Sequence, residues 1–589
     1  MTKSSTRKLV LAVLSAAVAT LVIRAADWPS QSGNPQREAW AKTEKAFTKE
    51  NAKGIELLYK YKADNQARGL SALTSPVVNG LLITYLGFKE MLVFGGSSDN
   101  VYSMDADLNR LIWKTHFDYK GDKAAAPTAV CPGGLTAAMA MPGSSTAMGR
   151  GFGAPPGRGV AGRGPGAPGT PAAPGAAPGA VPGAAPGAGR GPTLPPGFGP
   201  PPPGRAGLFS SGFGRSGVFL AVSGDGYLHA LNTSTGTDKE SAVKFLPANA
   251  TASALNVNDG IVYAATQDGC GGKSNALYAI EAAVENGKVS TFETHGAGFA
   301  GVGGTAIGTD GTAYAQAVDG QGDGGPYSDT VLALSKDLKV KDYFTPSDAP
   351  AATKKDVTVP GITPVVFEWN GRDLIVAGSR NGRVYVLDSK SLGGADHRTP
   401  LAQSDVIASP DAKYAGNGFA GTFSSWEDTD NKVRWIYASL WGPAAGSAKF
   451  GTSNGDAGHG SIVAFKLEDQ DGKPVLTPAW ISRDMMAPAP SVTANGLVFA
   501  LSTGQSSREA KEDGKPYSLA EREKMATRAV VYALDGATGK ELYSTGNMTS
   551  TFSHGSGLAI ANRRIYFTTH DNTVYALGFI AEQPQLTGK

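Results

Sequence analysis

One short phrase recurs along this chain at intervals of roughly fifty residues. It is clearest as Val531-Tyr532-Ala533-Leu534-Asp535, followed by Gly536-Ala537-Thr538-Gly539-Lys540, and it returns near the end as Val574-Tyr575-Ala576-Leu577. Earlier copies begin at Val101, Leu228, Leu277, Val331, Val384 and Ile462, which makes eight. A unit of that length cannot bury both faces of its own strands, so neighbouring units must cover one another. The repeat therefore predicts an all-β chain, an eight-bladed β-propeller of four-stranded antiparallel blades.

Each unit has the same internal order. A polar or glycine-rich lead-in precedes a short apolar strand, then a tight turn, a second strand, the repeated phrase and an outer strand. The turn pairs Asp225-Gly226, Asp259-Gly260, Asp310-Gly311, Asn370-Gly371, Asn381-Gly382 and Asn495-Gly496 recur at matching places between strands. Such pairs accept the positive φ that two-residue hairpins demand. In Val-Tyr-Ala-Leu-Asp both faces of the strand carry apolar groups, as a strand between two neighbouring sheets requires. The outer strands carry Trp113, Phe292, Phe344, Trp480 and Tyr543, which we read as rings packing against the next blade. The chain ends too soon after Tyr575 to supply its last outer strand. Leu57-Leu58-Tyr59-Lys60-Tyr61 can fill that place, so the ring is expected to be closed by an N-terminal strand.

Two segments stand outside the repeat. Lys3, Arg7 and Lys8 precede an apolar run from Leu9 to Ile23, with Ala25 and Ala26 offering small residues for cleavage. Residues 1–26 read as a secretory signal peptide, with an uncleaved anchor as the alternative. A periplasmic or secreted protein is expected, with no membrane span after cleavage. Residues 149–207 are almost wholly Gly, Pro, Ala and Arg, and are expected to be a disordered insertion in the single propeller formed by residues 27–589. Cleavage removes four basic residues from a formal charge of +3, so nothing points to a nucleic-acid partner. A monomer is expected, with a small-molecule ligand or a cell-envelope protein as partner. The two cysteines, Cys131 and Cys270, favour a structural disulfide over two free thiols in an oxidising compartment. No Cys-x-x-Cys-His occurs, so no covalent haem is encoded.

The phrase Tyr-Ala-Leu-Asp-x-x-Thr-Gly-Lys with a trailing aromatic resembles the pyrroloquinoline quinone (PQQ) repeat. The opening Trp28-Pro29-Ser30-Gln31-Ser32-Gly33, with Arg37 following, is similar to the start of quinoprotein dehydrogenase propellers. That resemblance implies the quinoprotein alcohol dehydrogenase-like fold and a ligand or redox cofactor in the central funnel, with PQQ and calcium as the cofactors. It makes a dehydrogenase of alcohols or sugars one expectation and a non-catalytic envelope scaffold the other. The family holds its quinone between a tryptophan and a disulfide of adjacent cysteines, beside a calcium ion and an aspartate base. This chain has no Cys-Cys pair, and neither the calcium nor the base motif can be placed on it. No catalytic or metal-binding residue is therefore assigned.

The lead-in segments are where a propeller's funnel is lined. They carry Arg68, His295, Phe299, Phe419, Trp426 and His554, and Cys270 lies in a loop that could reach the same funnel. Flat rings and a guanidinium suit a planar, carboxylated ligand. We take Arg68, Cys270, Phe299, Phe419, Trp426 and His554 as candidate cofactor-binding residues.

Overall fold

The computed structural model describes residues 26–142 and 217–580, apart from 85–86, 122, 283–286, 295–296, 320–326, 328, 348–361, 380–381, 410–417, 509 and 514. The expected signal segment up to residue 25, the insertion at 149–207 and His295 lie outside those residues. Strands dominate what is described. The one α-helix of the described residues, Leu519–Met525, is a single short excursion.

The first blade shows how the repeat folds. Val77–Thr84, Gly87–Gly96, Asn100–Asp105 and Arg110–His116 pair in sequence order, each antiparallel to the last. The repeated phrase is the third strand, and in this blade all six of its residues are buried. Among the described residues, sheets of four to six strands recur seven times. The propeller is thus all-β, with mostly four-stranded antiparallel blades. The sixth blade adds two parallel pairings, at Ile362–Thr363 and Thr452–Ser453.

The expectation of four strands everywhere fails in the second repeat. Its sheet has three strands, Val218–Val222, Tyr227–Asn232 and Val243–Lys244. The innermost place is held by one bridge, in which Ala140 and Leu220 exchange hydrogen bonds of 2.8 and 3.2 Å. A bridge of one residue pair gives the lead-in no further ladder to extend.

Outer-strand rings pack as the sequence suggests, and two of them explain the Thr-Gly of the phrase. Trp113 donates its indole N–H to the Thr233 carbonyl at 2.9 Å, and Trp480 donates to the Gly536 carbonyl at 3.0 Å. A Cβ on Gly236 or Gly539 would lie 2.4 Å from the six-membered ring of the respective tryptophan, and both glycines have positive φ. The turn of one blade is therefore shaped to receive the indole of the blade before it.

The N-terminal segment runs across the inner ends of the blades. Trp28 N–H donates to Val78, the Ile307 N–H to Pro35, the Val366 N–H to Gln36, the Ser425 N–H to Glu38 and the Thr493 N–H to Ala39, while the Thr493 carbonyl accepts from the Ala41 N–H. Its carbonyl at Pro29 takes the Met141 N–H at 2.7 Å, and Pro35 also takes the Asn256 amide at 2.9 Å. At its start the Ala26 N–H reaches Asn562 at 2.7 Å. Glu56–Lys62 then pairs antiparallel with the C-terminal strand Thr573–Gly578.

Arg37 locks this segment. Its side chain is fully buried and donates to the carbonyls of Gln31, Gly303, Thr305, Leu255 and Ala254 at 2.5, 2.8, 3.0, 3.2 and 3.4 Å. Beside it, buried Glu38 meets Arg434 at 2.6 Å and Lys42 at 2.8 Å.

Candidate functional site

Above this segment lies a cavity of about 190 Å³. Gln31 contributes to its wall, as do Thr251 and Asp268 of the third repeat, Val130 and Pro132 of the loop before the second, and Arg522 and His554 of the seventh and eighth. The sequence explains the convergence. Thr251–Ala252 pairs with Thr266 and Gln267, so Asp268 projects from the turn that follows. Arg522 arrives on the helix Leu519–Met525, whose start is fixed by a capping box between Ser518 and Glu521. Lys511 adds a 2.7 Å ion pair to Glu521.

Cys131 and Cys270 form a disulfide beside this cavity, with Cα atoms 5.5 Å apart. It ties the loop carrying Val130 to the turn carrying Asp268. Of the two readings of the cysteines, the structural bond is the one present.

The other candidates scatter. His554 lines the cavity, and its Nδ1 lies 2.8 Å from the Gln505 amide nitrogen. Burial, helped by Arg522 and His570, pushes its pKa down to about 3, so the ring is neutral at pH 7. Arg68 stands behind the wall, where its Nε donates to the Pro132 carbonyl at 3.0 Å and its terminal nitrogen to Ala125. Phe299 and Phe419 are buried in blade interiors, the latter against Phe423 and Phe465. Trp426 faces the Asn495-Gly496 turn of the seventh blade and does not line the cavity. Arg68 and Trp426 are therefore not neighbours across one funnel.

Three lining groups went unnoticed in the sequence. Gln31 is 5% exposed, and no protein group among the described residues bonds to its side-chain amide. Thr251 Oγ1 is buried without a partner. Asp268 is the one carboxylate among the described lining residues.

Two other places bring polar side chains together. A more open groove of about 640 Å³ lies beside the helix, lined by Glu523, Arg528 and His570, but His570 is already stacked on Phe552 and bonded to the Gly69 carbonyl. His229 sits 2.9 Å from Asp238 and 3.2 Å from Ser223 Oγ, which has the outline of a nucleophile triad. Ser223 is buried, however, and its hydroxyl donates to Asp225 at 2.5 Å while Phe117 covers the imidazole at 3.8 Å. That cluster braces the second blade.

The lining can be set against a tricyclic quinone with calcium. Calcium takes six to eight oxygens, several of them from carboxylates, whereas the wall offers Asp268 alone. No group of three or more His, Cys, Asp or Glu side chains able to hold a metal occurs among the described residues. No Phe, Tyr or Trp is among the described residues that line the cavity, so none of these can stack on a planar ring. The residues present do not fit that group, and no chemical step is derived through it.

No family model matches the chain, and no curated protein matches it in sequence. Solved structures do match in fold. The chain aligns over 96% of its length with a quinohemoprotein alcohol dehydrogenase from Pseudomonas putida, covering 82% of that protein at 12% identity and a TM-score of 0.51. It aligns over 94% of its length with a europium-containing methanol dehydrogenase, covering 98% of it at 11% identity and a TM-score of 0.51. At these identities the likeness is one of fold. The chain thus has the β-propeller fold of the quinoprotein dehydrogenases, in keeping with the PQQ-type repeat of its sequence.

Proposed function

We propose that this chain is an exported binding propeller whose central funnel takes a small polar ligand. The observation that carries the reading is the half-open cavity where loops of several repeats converge, with the polar side chains of Gln31, Gln267 and His554 among its lining residues. Export to the periplasm is supported by the basic and apolar segment from Lys3 to Ile23. We further infer that the three-stranded sheet and the seven fuller blades form one eight-membered ring. The pairing of Glu56–Lys62 with Thr573–Gly578 supports this closure.

A second reading, a PQQ-dependent dehydrogenase of alcohols or sugars, draws its support from the shared fold and from a disulfide beside the cavity. Equilibrating the mature protein with PQQ and calcium, then desalting, separates the two. Our reading expects no quinone absorbance to remain with the protein. Stoichiometric retention, lost in a His554→Gln variant, would overturn it in favour of the redox enzyme.

A further inference from the structure

The loop that carries Cys131 is anchored in an unequal way. One guanidinium holds both of its ends: Arg68 donates from Nε to the Pro132 carbonyl at 3.0 Å and from a terminal nitrogen to the Ala125 carbonyl. Positions 125 and 132 are thereby drawn together, and residues 126–131 make a compact excursion of the Ω-loop kind. Its own bonds are local, from the Thr128 N–H to the Cys131 carbonyl at 3.0 Å and from the Cys131 N–H to Thr128 Oγ1 at 2.9 Å. Among the described residues, 126–131 are bonded to another part of the chain at Cys270 alone. The link is the disulfide, with the Val130 carbonyl 3.8 Å from the Cys270 sulfur. The turn of Cys270 is fixed from elsewhere. Its Gly269 N–H bonds to Asn275 Oδ1 at 2.8 Å, and a Cβ on Gly271 would lie 2.4 Å from the Ala248 carbonyl oxygen. Ala129 and Val130 line the cavity, so lifting this loop removes part of the wall.

We propose that residues 126–131 are a flap over the cavity, locked by Cys131–Cys270 and released by thiol–disulfide exchange with a dithiol reductant. The flap is a property of the loops, whichever ligand the funnel takes. Cys131 is the sulfur open to attack, since that residue is partly exposed while Cys270 is buried. A thiolate of the dithiol bonds to Cys131 Sγ, the S–S bond breaks, and Cys270 leaves as a thiolate that takes up a proton. The second sulfur of the reductant then displaces Cys131, which is protonated in turn. The dithiol ends as a disulfide, and the protein gains two electrons and two protons. With the bond gone, the loop is held at Arg68 alone and swings about it.

Carbethoxylation of histidines by diethyl pyrocarbonate, located by peptide mass mapping, tests this on the mature, full-length protein. One sample is oxidised; the other is reduced with dithiothreitol, capped with iodoacetamide and desalted. His554 lines the cavity, His459 is exposed, and His229 is buried beneath Phe117, where it reports unfolding of the blades. Dithiothreitol should reduce the bond in the folded protein and speed modification of His554 at least tenfold, with His459 and His229 changed less than twofold. A double variant, Cys131→Ser with Cys270→Ser, should show the fast His554 rate without any reductant. If the bond yields only in denaturant, or His554 stays slow once it is reduced, the flap proposal falls. If His229 speeds up together with His554, the disulfide holds the whole propeller rather than a flap, and the proposal falls as well. None of these results bears on the ligand reading, which quinone retention decides.

Discussion

Replacing Arg37 by methionine tests whether the N-terminal segment is held by bonds or merely tolerated. No carboxylate among the described residues pairs with Arg37, so its charge rests on backbone carbonyls alone. Two effects oppose each other. Burial pushes its pKa from 12.5 down to about 9, which corresponds to roughly 5 kcal/mol of resistance to the charge, while leaving it protonated at pH 7. Against this stand three short bonds, to Gln31, Gly303 and Thr305, at 2.5, 2.8 and 3.0 Å. Net of desolvation, each bond of a charged donor contributes about 1.5–3 kcal/mol. Four of the five carbonyls keep other donors after truncation, Thr305 from Asn256, Gly303 from the Thr305 N–H, and, at 3.4 and 3.5 Å, Gln31 from the Ser30 hydroxyl and Ala254 from the Ser253 hydroxyl. We therefore expect a loss of about 4 kcal/mol, within the range for breaking a buried charge interaction. Hydrogen exchange reads it locally, at the Ile307 and Val366 amides that donate to Pro35 and Gln36. At 1.4 kcal/mol per decade their exchange should rise roughly a thousandfold. A change under about fivefold would mean that desolvation cancels the bonds, and the reasoning would be wrong.

Acid should weaken the fold through His554. Its folded pKa of about 3 lies below the ordinary 6.5, so the unfolded chain binds the proton more readily. The contribution is fully present above pH 6.5 and is lost as pH falls toward 3. Between pH 7 and pH 5 the loss is at most about 2 kcal/mol, less because one edge of the ring meets the cavity, and His554→Gln should flatten that part of a urea-midpoint-versus-pH curve. Replacing Cys131 and Cys270 together by serine should cost about 2–4 kcal/mol, with about 5 kcal/mol as the loop-entropy limit for a separation of 139 residues. Deleting residues 149–207 shortens that loop yet should change the value of the bond by only about 0.5 kcal/mol, as a cycle of the two changes in urea titrations would show. Gly539→Ala drives a Cβ toward Trp480 at positive φ and should cost about 2–4 kcal/mol, read as a lowered urea midpoint of tryptophan fluorescence.

The propeller was legible because its evidence is periodic. Val-Tyr-Ala-Leu-Asp repeats whatever every blade needs, and even Trp480 and Gly539 could be placed by their recurrence, though their contact could not. The cavity is legible only in part, because its groups occur once each. His554 announced itself by residue type. Gln31 did not, since a glutamine in a polar stretch has no distinguishing mark until the backbone buries it. Arg68 misled for a physical reason. A guanidinium near a funnel can satisfy itself on loop carbonyls, and Pro132 and Ala125 lay close enough to take it. Phe299 and Phe419 follow glycines that allow close approach, but the approach is to blade interiors, where large rings gain most from burial.

The pairing of Glu56–Lys62 with Thr573–Gly578 sets an order in time. The first strand to leave the ribosome finds its partner only when nearly the whole chain has followed. Until then it is an exposed strand edge, open to pairing with another chain. Five of its seven residues, Glu56, Lys60 and Lys62 among them with Tyr59 and Tyr61, are charged or carry a hydroxyl, which blunts that hazard during the wait. Synthesis and folding are thus coupled over long range: Glu56–Lys62 waits for Thr573–Gly578, and truncation near Val574 would leave that early strand without a place.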